Sequence, residues 1–114
     1  MSAITTHVLD VALGKPAAKI SATLEFSADL ANWQPAGAGV TNEDGRIKEL
    51  LAEHFLLAVG YYRLTFQTGE YFHRRQTPGF YPIVTVVFEI KDPKQHYHVP
   101  ILLSPYGYST YRGS

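Results

Sequence analysis

The sequence of 114 residues contains no cysteine. That excludes a disulfide framework, a thiolate metal site and a cysteine nucleophile. It also leans toward the cytoplasm, because secreted domains of this size often carry a disulfide. Charge is scarce as well: 18% of residues are charged, and ten Lys and Arg balance ten Asp and Glu. A chain with no basic surplus is a poor phosphate tracker and a poor polybasic membrane binder, so nucleic acid and membrane are not expected partners. No apolar run approaches the roughly 20 residues of a membrane span. The opening Met1-Ser2-Ala3-Ile4-Thr5-Thr6-His7 has neither the basic nor the apolar region of a signal peptide. Linkers, repeats, low-complexity stretches, phosphate-binding glycine loops and nucleophile elbows are all missing.

What is present is apolar and aromatic. Apolar residues make up 46% and aromatics 13% of the chain. Little charge with many aromatics suggests a surface partly covered by other subunits, or a well-lined pocket. The length predicts one domain, 1–114.

The dominant period is two, the signature of strands. Strands are predicted over Thr6–Asp10, Lys19–Ala28, Trp33–Thr41, Arg46–Leu50, Gly60–Phe66, Ile83–Ile90, Tyr97–Leu103 and Tyr108–Tyr111. In the second of these, Ile20, Ala22, Leu24 and Phe26 share one face. Gly14-Lys15-Pro16 and Asn42-Glu43-Asp44-Gly45 read as turns. Gly69–Gln76 lacks alternation and reads as one short helix stopped by Pro78-Gly79. A helical turn over Glu49–Phe55 is a further possibility. Seven to eight short strands and one helix predict an all-β, two-sheet sandwich.

Several polar residues break the pattern. If Val8 faces the core, His7 faces outward, where a plain surface histidine is the bland alternative. His96 and His98 lie two apart and share a strand face with Leu102, while Tyr97, Val99, Ile101 and Leu103 form the apolar face. An H-x-H pair invites zinc, but a site needs three or four ligands and only His7 could join. Arg46 follows a tight turn and can present its planar fork to a carbonyl or carboxylate; an exposed strand charge reads equally well. His73-Arg74-Arg75 reads as a solvated helix face. The sequence ends in Tyr111-Arg112-Gly113-Ser114, after Tyr97, Tyr106 and Tyr108. So many tyrosines point to a tail packed into something, not a frayed one.

Thr6-His7-Val8-Leu9-Asp10 with Gly14-Lys15-Pro16-Ala17, and Thr41-Asn42-Glu43-Asp44-Gly45-Arg46, resemble the transthyretin superfamily. His96-Tyr97-His98-Val99-Pro100 and the closing Tyr111-Arg112-Gly113-Ser114 resemble its 5-hydroxyisourate hydrolase branch, which the tail separates from the hormone carriers. The resemblance spans essentially the whole chain. It implies an eight-strand sandwich with one short helix, assembled as a homotetramer (a dimer of dimers) with sites facing a central channel. It implies hydrolysis of 5-hydroxyisourate to 2-oxo-4-hydroxy-4-carboxy-5-ureidoimidazoline with no metal or organic cofactor. His7, Arg46 and His98 fall on the family's catalytic positions. Tyr111, Arg112, Gly113 and Ser114 would close the substrate site, with Ser114 holding substrate N–H groups through its hydroxyl or a terminal carboxylate. His96 belongs to the motif without an assigned role. The rival reading is a small-molecule carrier with the same sandwich and no chemistry.

Overall fold

The alternating segments pair into two sheets in a computed structural model that describes residues 3–114. Part of the reading of the first residues as lacking a signal sequence concerns Met1 and Ser2, which lie outside the described residues. One sheet is built from β1 (Ile4–Asp10), β2 (Lys15–Pro16), β5 (Arg46–Ile47), β8 (Tyr97–Ser104) and β9 (Gly107–Thr110). Its path is β2-β1-β8-β9, and β5 also pairs with β1. The other sheet runs β4 (Gln34–Val40), β3 (Ser21–Ser27), β6 (Gly60–Phe66), β7 (Val84–Ile90). The single helix among the described residues, α1 (Thr68–Arg74), follows β6.

Alternation decides which faces meet. Ile4, Val8, Tyr97, Val99, Ile101 and Leu103 of the first sheet and Ala22, Leu24, Tyr62, Leu64, Phe66 and Val84 of the second form one buried cluster. Two inner faces interdigitating around such a core is the sandwich solution for amphipathic sheets. The helix adds Tyr71 and Phe72 to the cluster. The Tyr71 hydroxyl donates to Asp10 Oδ2 at 2.7 Å, and the Leu13 N–H reaches Asp10 Oδ1 at 3.1 Å. Asp10 is thus buried with both oxygens engaged, which a buried carboxylate requires. Burial, with Asp10 beside it, pushes the Tyr71 hydroxyl up to about 12.

The all-β sandwich with one short helix is the architecture expected from the sequence. Boundaries differ in instructive ways. The first strand starts at Ile4, two residues early, because Ile4 is buried and pairs with Tyr97. Lys15-Pro16 forms a short strand against Leu9 and Asp10 instead of a turn. Arg46–Leu50 keeps only two paired residues. Glu49–Phe55 is not helical: it is held by a bridge from Leu51 to Gly37 and a turn from the Phe55 N–H to the Ala52 carbonyl. The helix ends before Pro78, where Gln76 takes φ 53° and the Thr77 N–H returns to the Phe72 carbonyl. No helix among the described residues is long and apolar enough to cross a membrane.

Candidate active site

β1 and β8 run parallel and in register, with Thr5 opposite His98 and His7 opposite Pro100. On the other side of β1, His7 pairs with Arg46 of β5. Directly paired residues point to the same face, as do residues two apart on one strand. Thr5, His7, Arg46 and His98 therefore all stand on the outer face of this sheet. Residues 91 positions apart in sequence become neighbours through one parallel pairing.

The turn before Arg46 is built by Asn42. Its side-chain carbonyl accepts the N–H groups of Asp44 and Arg46 at 2.9 and 3.0 Å, and its backbone carbonyl accepts from Gly45. Gly45 has φ 74°, and a Cβ there would lie 2.4 Å from the Val8 carbonyl oxygen. Only glycine allows this turn to lie flat on β1 and deliver Arg46 beside His7.

The tail reaches the same place from the opposite edge. Gly113 bridges to His98, with its N–H donating to the His98 carbonyl at 2.8 Å. A Cβ on Gly113 would sit 2.6 Å from His98 Cδ2, so the glycine lets the backbone pack against the imidazole edge. Ser114 follows into an open cavity of about 290 Å³ whose walls include Thr5, Arg46, Lys48, His96 and His98.

Within that cavity the Thr5 hydroxyl lies 2.8 Å from His98 Nδ1 and 3.0 Å from His96 Nε2. Nδ1 of His98 is thereby engaged, and Nε2 is the ring nitrogen left to work on a ligand. Burial pushes the His98 imidazole below the ordinary histidine value, and Arg46, His7 and His96 push the same way. Burial and then Arg46 lower His7 too, opposed by the Asp44 backbone carbonyl and carboxylate. Both imidazoles are therefore biased to the neutral form, the form that can accept a proton.

The expected site residues do not all converge. Arg46, His98 and Ser114 line the cavity, His7 stands beside Arg46 on the same face, and Gly113 backs His98. Arg112 does not enter this cavity. Its guanidinium lies 4.5 Å above the Tyr97 ring centroid and donates to Gln95 Oε1 at 2.8 Å, bracing the chain before β8. Tyr111 is exposed and borders a neighbouring groove of about 330 Å³, shared with Val86, Phe88 and the other flank of His98. The Gly113 N–H holds the tail backbone on His98, while the Arg112 side chain leaves toward Tyr97 and Gln95.

Among the wall residues that sequence reasoning left unassigned are Thr5 and Lys48. Lys48 lies two positions after Arg46, so alternation along the chain was an available signal. Thr5 shares the face of His7, but its pairing with His98 is long-range and left no local trace. His96 shares the face of His98 as its spacing predicts, and its Nε2 meets the Thr5 hydroxyl. Among the described residues, no three His, Cys, Asp or Glu side chains are grouped to hold a metal.

The profile of the HIUase/Transthyretin family matches residues 4–113. A 5-hydroxyisourate hydrolase of Salmonella dublin is 46% identical over 111 residues, covering 97% of this chain and 80% of that protein. The solved 5-hydroxyisourate hydrolase of Klebsiella pneumoniae is 35% identical with a TM-score of 0.80, covering 97% of this chain and 98% of the other. Sea bream transthyretin, solved with thyroxine, superposes with a TM-score of 0.89 at 28% identity, covering 98% and 95% of the two chains. The pairing of an H-Y-H-V-P strand with a tail that packs on its second histidine thus sits in a sandwich with known relatives, and the chain belongs to the HIUase/Transthyretin family.

Proposed function

We propose that this chain hydrolyses 5-hydroxyisourate to 2-oxo-4-hydroxy-4-carboxy-5-ureidoimidazoline in urate breakdown. It would do so as a cytoplasmic enzyme whose single domain spans residues 1–114 and assembles as a homotetramer. The observation that carries this reading is the group on one sheet face: two imidazoles biased to the neutral form beside a guanidinium.

The chemistry asks for three things. Water must be deprotonated as it adds to a ring carbonyl, the oxyanion must be stabilised, and the leaving nitrogen must receive a proton as the C–N bond breaks. His7 and His98 supply proton transfer, with His98 working through Nε2. Arg46 offers its fork to the carbonyl oxygen as negative charge builds. The Ser114 hydroxyl holds substrate N–H groups, and Leu102, on the His98 face, forms an apolar wall. Tyr111 and Arg112 support the site from its margin: Arg112 braces His96 and Tyr97, and Tyr111 flanks His98.

The assembly reading rests on free edges. β7 and β9 end their sheets and carry exposed Val87 and Tyr108. Unpaired edges with apolar side chains invite strand pairing with another copy. A carrier has no use for two neutral-biased imidazoles converging on an arginine, and that disfavours binding without chemistry.

The test is turnover of 5-hydroxyisourate by His7→Ala and His98→Ala. Each is expected to lose at least about 100-fold in kcat, the scale of general acid–base catalysis, with the oligomer unchanged. Wild-type rates in either variant would remove that histidine from the mechanism.

A further inference from the structure

One hydroxyl serves two histidines in this site, and the proton count of that arrangement has consequences. A threonine hydroxyl has a single proton to donate and lone pairs to accept with. Thr5 Oγ1 lies within hydrogen-bond distance of His98 Nδ1 and His96 Nε2 at once. If both ring nitrogens carried lone pairs, one would face the oxygen's own lone pair. At least one histidine therefore donates N–H to Thr5, and when only one does, Thr5 donates to the other. The two histidines cannot choose tautomers independently.

We infer that Thr5 is a positioning residue that couples the protonation of His98 to that of His96, and carries a proton between them during turnover. The inference rests on the hydrolase reading for its role in turnover. In the resting arrangement, His98 Nδ1–H donates to Thr5, and the Thr5 hydroxyl donates to His96 Nε2. His98 Nε2 then holds a lone pair and is a base. As Nε2 takes a proton from water, the Nδ1 proton passes to Thr5 Oγ1 and the Thr5 proton passes to His96 Nε2. The products are hydroxide, which adds to the ring carbonyl, a neutral His98 protonated on Nε2, and a cationic His96. When the C–N bond breaks, His98 Nε2–H protonates the leaving nitrogen. The chain then reverses: Thr5 returns a proton to His98 Nδ1 and takes one from His96. No proton is left over and His96 is neutral again.

The surroundings favour this placement of charge. The titratable and charged groups around His98 are His7 on β1, Arg46 and Lys48 after the Asn42–Gly45 turn and His96 before β8, with Glu89 of β7, Tyr97, Tyr111 and Arg112 along the groove on its other flank. A cation on half-buried His98 would meet Arg46 at close quarters, whereas His96 is exposed and solvated. Low-dielectric repulsion is larger than repulsion in water, so moving the charge outward stabilises the intermediate. Gly113 closes the other side of the His98 ring, leaving Thr5 as the exit for its Nδ1 proton.

The experiment uses Thr5→Val, which removes the hydroxyl at nearly constant volume, and Thr5→Ser, which keeps it. His96→Ala on the exposed histidine serves as an independent break should Thr5→Val fail to fold. Long-range proton–nitrogen NMR of the ligand-free protein reads the tautomers of both imidazoles across pH. Wild type and Thr5→Ser are expected to show His98 nitrogen shifts that follow the titration of His96. In Thr5→Val that linkage disappears, and in His96→Ala the His98 tautomer no longer responds in the His96 range. In turnover, Thr5→Val loses at least about tenfold in kcat, less than the roughly 100-fold at the low end of direct acid–base effects because Thr5 acts through His98, with KM within about twofold, and Thr5→Ser recovers most of it. A His98 tautomer unlinked from His96 in wild type overturns the inference, as does an unchanged kcat in both Thr5→Val and His96→Ala. Linked tautomers in a protein with no turnover would overturn the hydrolase reading and leave the Thr5 coupling standing.

Discussion

Replacing Gly113 by alanine adds one methyl group against the edge of His98. An ideal Cβ at this position lies 2.6 Å from His98 Cδ2, 3.2 Å from Cγ and 3.3 Å from the His98 Cβ, all inside ordinary contact distance. Relief needs a displacement of roughly 0.8 to 1 Å, by the imidazole, the tail or both. The tail is pinned by the 2.8 Å bond from the Gly113 N–H to the His98 carbonyl, and the ring by Thr5 at 2.8 Å. Either movement misplaces a group that the proposed mechanism sets against the substrate. Misplacements of about 1 Å cost on the order of 100-fold in rate. Gly113 lies outside the buried core, so thermal stability should change little. The assay is kcat for 5-hydroxyisourate beside a thermal melt of the same preparation. A variant with kcat within about twofold of wild type would refute the claim that the tail packs on and positions His98. A collapsed melting temperature would show that the glycine serves folding instead.

The remaining predictions concern charge and the core. His7 and His98 both have folded-state values lowered from 6.5, so activity that needs them neutral should persist below pH 6.5 and fail as pH drops through the lowered values. Their contribution to stability has the same sign: complete above about 6.5, and lost on acidification, because the unfolded chain binds those protons more readily. Arg46→Gln removes one of the causes of both depressions, so NMR titration should show both imidazoles moving up and the acid limb of kcat moving to higher pH; unmoved titrations would contradict the electrostatic reading. Tyr71→Phe removes the donor to buried Asp10 Oδ2 and should cost about 1.5 to 3 kcal/mol, read by denaturant titration, with kcat unchanged. A neutral effect on stability would mean that water replaces the hydroxyl.

Most of the sandwich was legible because its strands alternate. Val8, Leu24, Leu64 and Ile101 each mark an inner face that period two reveals without any alignment. The sides of His7 and His98 were legible for the same reason. What stayed hidden depends on long-range pairing. The parallel contact of β1 with β8 joins segments some 90 residues apart, and only that contact makes Thr5 a partner of His98 and His96. Where the Arg112 side chain goes was not legible, because motif membership says nothing about which face a residue takes. Gly113 and Ser114 meet the site while the Arg112 side chain turns to Tyr97. The short strand at Lys15-Pro16 was missed since two residues carry no period. Its pairing is set by the turn that returns the Gly14 N–H to the Asp10 carbonyl.

The central claim is that this sheet face performs chemistry and does not merely bind. The most direct measurement is the decay of 5-hydroxyisourate, generated in place by urate oxidase and followed by ultraviolet absorbance, with and without the purified protein and in the presence of a chelator. The account predicts accelerated decay that the chelator leaves intact. Decay at the spontaneous rate with a well-folded protein, or acceleration abolished by chelator and restored by metal, would contradict it.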